Sequence, residues 1–121
     1  MQNGDLVSII TPLYNSACFI EETIKSVQQQ TYPNWELVIV DDASSDRSVE
    51  IVQKFASNDG RIRLFTEEKN KGAAYCRNYA IKQAQGTYMA FLDSDDLWNK
   101  NKLEEQISFM KEHDCLVSYT S

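Results

Sequence analysis

Five short apolar runs alternate with four stretches of helical periodicity, and this alternation restricts the chain more than anything else in its sequence. Leu6-Val7-Ser8-Ile9-Ile10-Thr11 is largely β-branched and is predicted to be a buried strand ended by Pro12. Ile20, Ile24 and Val27 then recur at i, i+4 and i+7 among Glu21, Glu22, Lys25 and Gln28. That is the apolar stripe of a helix, which runs out in Gln28-Gln29-Gln30-Thr31 ahead of Pro33. Trp35 to Val40 reads as a second strand. Val49, Val52 and Phe55 mark a second helix, with Ser44 or Ser45 as its expected cap and Asp46 in its first turn. Ile62 to Phe65 reads as a short strand near a sheet edge. A small-residue helix from about Ala73 to Ala84 ends at Gly86. Tyr88 to Leu92 is a fourth strand. Leu103, Ile107 and Met110 define a fourth helix started by Asn99 or Asn101, and Cys115 to Tyr119 is a last strand.

Strand and helix in strict alternation predict an α/β fold: a mainly parallel sheet with right-handed crossovers and helices on both faces, a three-layer, Rossmann-like sandwich. The 121 residues make one domain at most, and 42% hydrophobic with 25% charged residues is ordinary globular composition. In such sheets ligands bind beyond the carboxyl ends of the strands, which turns a list of residues into a place.

The fourth strand delivers the most unusual group to that edge. Asp93, Asp95 and Asp96 follow it within four positions. Folding has no need of three acids at the end of an apolar strand, and like charges so close repel unless a cation lies between them. Hard carboxylate oxygens point to a divalent metal. The first strand brings Pro12, Tyr14 and Asn15 to the same rim, and the second brings Asp41 and Asp42. An aromatic ring, a carboxylate pair and a metal site suit a nucleotide. The ring would stack on the base, a carboxylate would accept from a base N–H or ribose hydroxyl, and the metal would bridge a diphosphate. Each piece alone has a plainer alternative: loop capping for Asp41 and Asp42, packing for Tyr14, a helix-surface charge for Arg77.

Absent motifs sharpen the expectation. No Gly-x-Gly-x-x-Gly and no Walker lysine follow the first strand, so a bound diphosphate would need the metal for neutralisation. A net charge of −6 argues against nucleic acid as a partner. Three cysteines (Cys18, Cys76, Cys115) without metal-ligand spacing read as reduced thiols in a cytoplasmic setting. No run approaches transmembrane length, so any membrane association is expected to be peripheral. A sugar-nucleotide pyrophosphorylase would need a glycine-rich basic loop where Pro12-Leu13-Tyr14-Asn15 stands. A phosphorylation-receiver domain, the non-enzymatic alternative, would need an aspartate after the third strand, where Thr66-Glu67-Glu68 stands. A donor-binding module without catalysis is a further alternative.

Four blocks in order resemble family 2 glycosyltransferases of the GT-A fold: Val7 to Asn15; Ser26 to Thr31 with Trp35 to Asp46; Asn70-Lys71-Gly72 with Arg77-Asn78; and Gly86 to Asp96. The resemblance implies that residues 1–121 are the nucleotide-sugar-binding part of such a domain, truncated before the acceptor-binding half. It implies a metal-dependent, inverting transfer of a hexose or N-acetylhexosamine from a nucleotide-diphosphosugar, a UDP-sugar by expectation, to a glycan or lipid-linked acceptor. It implies work in the cytoplasm or at the inner face of the membrane. By position, Pro12 and Tyr14 would line the base pocket and Asp42 would meet the base with Asp41 beside it. Arg77 would lie on the nucleotide side. Asp95 would be the metal ligand, with Asp93 on ribose or metal. No catalytic base is expected before Ser121: Glu104, Glu105 and Glu112 read as helix-face charges, Asp114 carries no further signal, and His113 reads as a helix-end partner.

Overall fold

The computed structural model describes residues 5–112 and 117–119. Five strands and four helices alternate along them: β1 (Val7–Leu13), α1 (Ile20–Gln28), β2 (Trp35–Asp41), α2 (Ser48–Asn58), β3 (Ile62–Thr66), α3 (Ala73–Gln83), β4 (Tyr88–Phe91), α4 (Lys102–Glu112) and β5 (Val117–Tyr119). The strands form one sheet in the order β3-β2-β1-β4-β5, with every pairing parallel. β3 lies at an edge, as its partial alternation predicted. His113, Asp114 and Cys115 fall outside the described residues.

The two faces of the sheet bury different sets of side chains. On one, Val7, Ile9 and Leu13 of β1 join Leu37 and Ile39 of β2 beneath Ile20, Ile24 and Val27 of α1, Val52 of α2, and Leu103, Ile107 and Met110 of α4. On the other, Ile10, Val38, Val40 and Phe91 meet Cys76 and Ala80 of α3. The strands are apolar on both faces because both are covered. Helix α3 buries Cys76 and Ala80 against the sheet, with Tyr79 and Ile81 partly buried beside them.

β1 runs one residue beyond Pro12, contrary to the expected stop. The Val7 N–H donates to Asn34 O (3.1 Å) on the β2 side. Amide direction alternates along a strand, so the Pro12 nitrogen faces β4, and there the pairing ends at Ile10 with Phe91. The missing N–H is not needed, and Pro12 pairs in register with Val40 of β2. The start of α2 also differs. Ser44 and Ser45 do not cap it; their groups bond Asp41 and Asn15 instead. The Asp46 carboxylate accepts from the Ser48 N–H (2.9 Å) and hydroxyl (2.6 Å).

At the amino edge, opposite the predicted site, Glu36 is buried. It accepts from the Ser8 hydroxyl (2.6 Å), the Gln85 N–H (2.7 Å) and Arg63 (2.8 Å). Burial pushes its pKa up, but these donors and the Arg63 charge outweigh burial and hold the carboxyl below its ordinary value.

Candidate functional site

The chain changes direction at β1. From β1 it winds outward to β2 and β3 beneath α1 and α2, then α3 carries it back over the other face to β4. β1 and β4 therefore part at their carboxyl ends, where an open sheet forms its binding crevice. A cleft of about 570 Å³ lies there. Pro12, Tyr14, Asp42, Arg77, Asp93 and Asp95 all line it, together with Leu13, Ser16, Asn70, Gly72, Ala73 and Ser94. Six of the nine residues singled out from the sequence thus converge; Asn15 and Asp96 lie outside the lining. Asp41 does not line the cleft. Its carboxylate accepts from the Ser44 hydroxyl (2.5 Å) and N–H (3.1 Å), closing the turn that puts Ala43 at φ 60°.

Asp42 is buried and works on both sides of the cleft floor. One oxygen accepts from the Lys71 N–H (2.6 Å) and the other from the Gly72 N–H (2.9 Å), and the Cys76 thiol also bonds the carboxylate. These bonds dock the loop ahead of α3, where Gly72 takes φ 94°. A carboxylate offers about four acceptor positions. Three are filled from within. Burial, then the charge of Asp42, pushes the Cys76 thiol up to about 12, so it is no nucleophile at neutral pH.

Tyr14 is 52% exposed, its ring open to the cleft. The turn beneath it is held by Asn15, at φ 47°, whose Oδ1 accepts from the Ser45 N–H (2.8 Å) while its own N–H donates to the Ser44 hydroxyl (2.9 Å). Asn15, Ala43 and Gly72 are the positive-φ positions among the described residues, and all three lie in loops at this edge. Strained or permissive backbone gathered at one rim is a mark of a functional site.

Across the cleft, Asp93 faces Arg77 of α3 at 3.9 Å. Both side chains are well exposed, so water screens this pair and leaves both groups available to a charged ligand. The expected grouping of three acids is reduced to two. Asp93 and Asp95 line the cleft, whereas Asp96 lies outside it, its N–H closing the turn on Asp93 O (3.0 Å). Among the described residues no three His, Cys, Asp or Glu side chains converge on a point where a metal could sit. Two exposed carboxylates nonetheless suit Mg²⁺ or Mn²⁺, which take one or two carboxylates and complete their shell with phosphate oxygens and water.

The sequence reading passed over the residues that hold this turn. The Ser94 and Ser16 hydroxyls meet at 2.6 Å, and the Ser16 N–H donates to the Ser48 hydroxyl (2.8 Å). Thr23, Ser26 and Gln30 of the α1 region are buried. Their i, i+3, i+7 spacing, set between the apolar positions, is the signal that could have exposed them.

Residues 8–121 match the model of the family described as glycosyl transferase family 2. The chain belongs to glycosyltransferase family 2. This family 2 chain is 51% identical over 115 residues to a putative teichuronic acid biosynthesis glycosyltransferase, TuaG, of Bacillus subtilis (strain 168), covering 95% of this chain and 46% of that protein. It is 52% identical over 114 residues to the UDP-Glc:alpha-D-GlcNAc-diphosphoundecaprenol beta-1,3-glucosyltransferase WfgD of Escherichia coli, covering 94% and 44%. The chain thus spans about half the length of these relatives. Among solved structures, S. aureus TarS 1-349 in complex with UDP superposes with a TM-score of 0.81 at 38% identity, over 89% of this chain and 32% of that one. The mannosyltransferase PcManGT of Pyrobaculum calidifontis, in complex with GDP-Man and Mn²⁺, gives 0.81 at 31% identity, over 86% and 32%. The fold is that of the GT-A glycosyltransferases. Among the described residues no helix is long and apolar enough to cross a membrane.

Proposed function

We propose that residues 1–121 form the donor-binding part of a metal-dependent, inverting glycosyltransferase that takes a hexose or N-acetylhexosamine from a UDP-sugar. The observation that carries this reading is the convergence of Tyr14, Asp42, Arg77, Asp93 and Asp95 on one cleft where β1 and β4 part. TarS has been solved with UDP and with UDP-GlcNAc, and PcManGT with GDP-Man and Mn²⁺, which favours a nucleotide-diphosphosugar here. The E. coli relatives are named for a UDP-Glc donor and a diphosphoundecaprenol-linked acceptor. That likeness favours a lipid-linked or glycan acceptor, and in our reading it is met at the cytoplasmic face of a membrane through peripheral association.

In this reading the Tyr14 ring stacks on the base above Pro12. The Asp42 carboxylate accepts from a base N–H or a ribose hydroxyl. Asp41 acts from behind, through the turn it closes with Ser44. Arg77 meets the diphosphate from the α3 side, released from its screened pair with Asp93. Asp95, with Asp93 beside it, would hold Mg²⁺ or Mn²⁺. A bound cation would supply charge neutralisation to the departing diphosphate. The acceptor oxygen attacks the anomeric carbon from the side opposite the leaving group, forming one C–O bond as the other breaks. Its proton passes to a base that none of the cleft residues is assigned to be.

Calorimetric titration of UDP with Mn²⁺ and with EDTA tests the proposal. Binding should tighten with Mn²⁺, and Asp95→Ala should abolish the difference. Equal binding in both titrations, or an unchanged difference in Asp95→Ala, would sink it.

A further inference from the structure

We propose that Thr23 is a positioning residue for the metal-diphosphate site, acting through the backbone of the Asp93–Asp96 turn; the inference rests on the donor-site reading above. Thr23 sits on α1 with 1% of its surface exposed. Its hydroxyl has one proton and three carbonyl oxygens within reach: Asp96 O at 2.7 Å, Ser94 O at 2.9 Å and Phe19 O at 3.2 Å. A mid-helix threonine ordinarily returns its proton to the carbonyl four residues back. Here that carbonyl, Phe19 O, is the most distant of the three. The nearer two belong to the turn, 71 and 73 residues away in the chain.

Asp93 and Asp95 stand on either side of Ser94, so the placement of both carboxylates follows the backbone of this turn. The turn is gripped at two points. Thr23 takes the carbonyls of Ser94 and Asp96 from beneath, and the Ser16 hydroxyl meets the Ser94 side chain at 2.6 Å from the cleft wall. The segment beyond is tied to the same helix. Ser26 accepts the Trp98 N–H (3.2 Å) while donating to Thr23 O (2.7 Å). Gln30 donates to Asn99 O (2.6 Å) and accepts from the Leu103 N–H (2.9 Å). The Ser26 and Gln30 contacts fall on the stretch leading into α4 and serve to fix that stretch. Thr23 alone among the three reaches the residues between and beside the cleft carboxylates. A hydroxyl in this place sets how far the turn rises into the cleft, and hence where two carboxylates can share one ion with a diphosphate.

Thr23→Val keeps the β-branched shape and removes the proton. Binding of UDP to the full chain should become about tenfold weaker with Mn²⁺ present, the loss expected for one hydrogen bond transmitted to the ion, and stay unchanged in EDTA. Thr23→Ala should lose as much, and Thr23→Ser should restore the Mn²⁺ enhancement. The Ser and Ala pair carries the test if the valine variant does not fold. Equal weakening with and without Mn²⁺, with serine no better than alanine, is the pattern of general structural damage and overturns the proposal. So does an undiminished enhancement in folded Thr23→Val or Thr23→Ala while Asp95→Ala abolishes it; in that case the donor-site reading stands and Thr23 has no part in it. Absence of any Mn²⁺ enhancement in the unmodified chain would refute both.

Discussion

Replacing Gly86 by alanine drives a methyl group into the start of β1. A Cβ on Gly86 would lie 2.6 Å from Leu6 O, 2.6 Å from the Ser8 hydroxyl and 2.8 Å from Ser8 N. Two of these three are backbone atoms in or beside a central strand, which cannot swing aside as a side-chain tip can. Overpacking against rigid neighbours costs about 1–3 kcal/mol. The same spot carries hydrogen bonds that any retreat would lengthen: the Gly86 N–H to the Ser8 hydroxyl (2.8 Å) and the Thr87 N–H to Leu6 O (2.8 Å). Weakening one of them adds about 1 kcal/mol. The expected loss is therefore ~3 kcal/mol, a large part of the ~5–15 kcal/mol that holds a domain together. In urea denaturation followed by tryptophan fluorescence, the midpoint should fall by about 1–3 M with the slope unchanged. Gly60→Ala is the internal control. A Cβ there meets nothing within 4 Å, so its midpoint should barely move. A Gly86→Ala midpoint as high as that of Gly60→Ala would refute the close-approach argument.

Two further predictions concern titration. Glu36 has its pKa held below the ordinary 4.5, so its contribution is present above about pH 4.5 and is lost as pH falls through its folded value. Glu36→Gln should therefore cost ~2 kcal/mol at pH 7, and the gap from the unmodified chain should close in acid; a gap constant from pH 7 to pH 3 would contradict this. The Cys76 thiol is raised from 9.0 to about 12, so its contribution is whole below pH 9 and is lost as pH rises toward 12. Alkylation at pH 8, read peptide by peptide, should modify exposed Cys18 well before buried Cys76 in the folded chain; equal rates would contradict the burial argument.

The fold was legible because both faces of the sheet are covered. Runs such as Trp35 to Val40 are continuous, and Ile20, Ile24 and Val27 keep a clean helical period between them. Where local rules failed, tertiary context had taken over the local signal. Pro12 stays within β1 because β4 has ended on the side its nitrogen faces. Ser44 and Ser45 are drawn away from α2 by Asp41 and Asn15, leaving Asp46 to take the first N–H. The cleft was legible as a set of strand-end residues, since strand ends share one edge. The split between Asp41 and Asp42 came from the family resemblance and not from the residues themselves: adjacent residues point to opposite sides, and two aspartates in sequence give no local sign of which one meets the cleft. Thr23 was hidden for a related reason: a polar residue on a helix gives no local sign of a partner 71 or 73 positions away.

The central claim is that the cleft between β1 and β4 holds a nucleotide diphosphate through Asp93 and Asp95. A crystal structure of the chain grown with UDP and Mn²⁺ tests it most directly. The account predicts the uracil over Tyr14, one contact to Asp42, and the ion between the diphosphate and the Asp93 and Asp95 carboxylates. UDP bound elsewhere, or bound in the cleft with its diphosphate turned away from both aspartates, would contradict it.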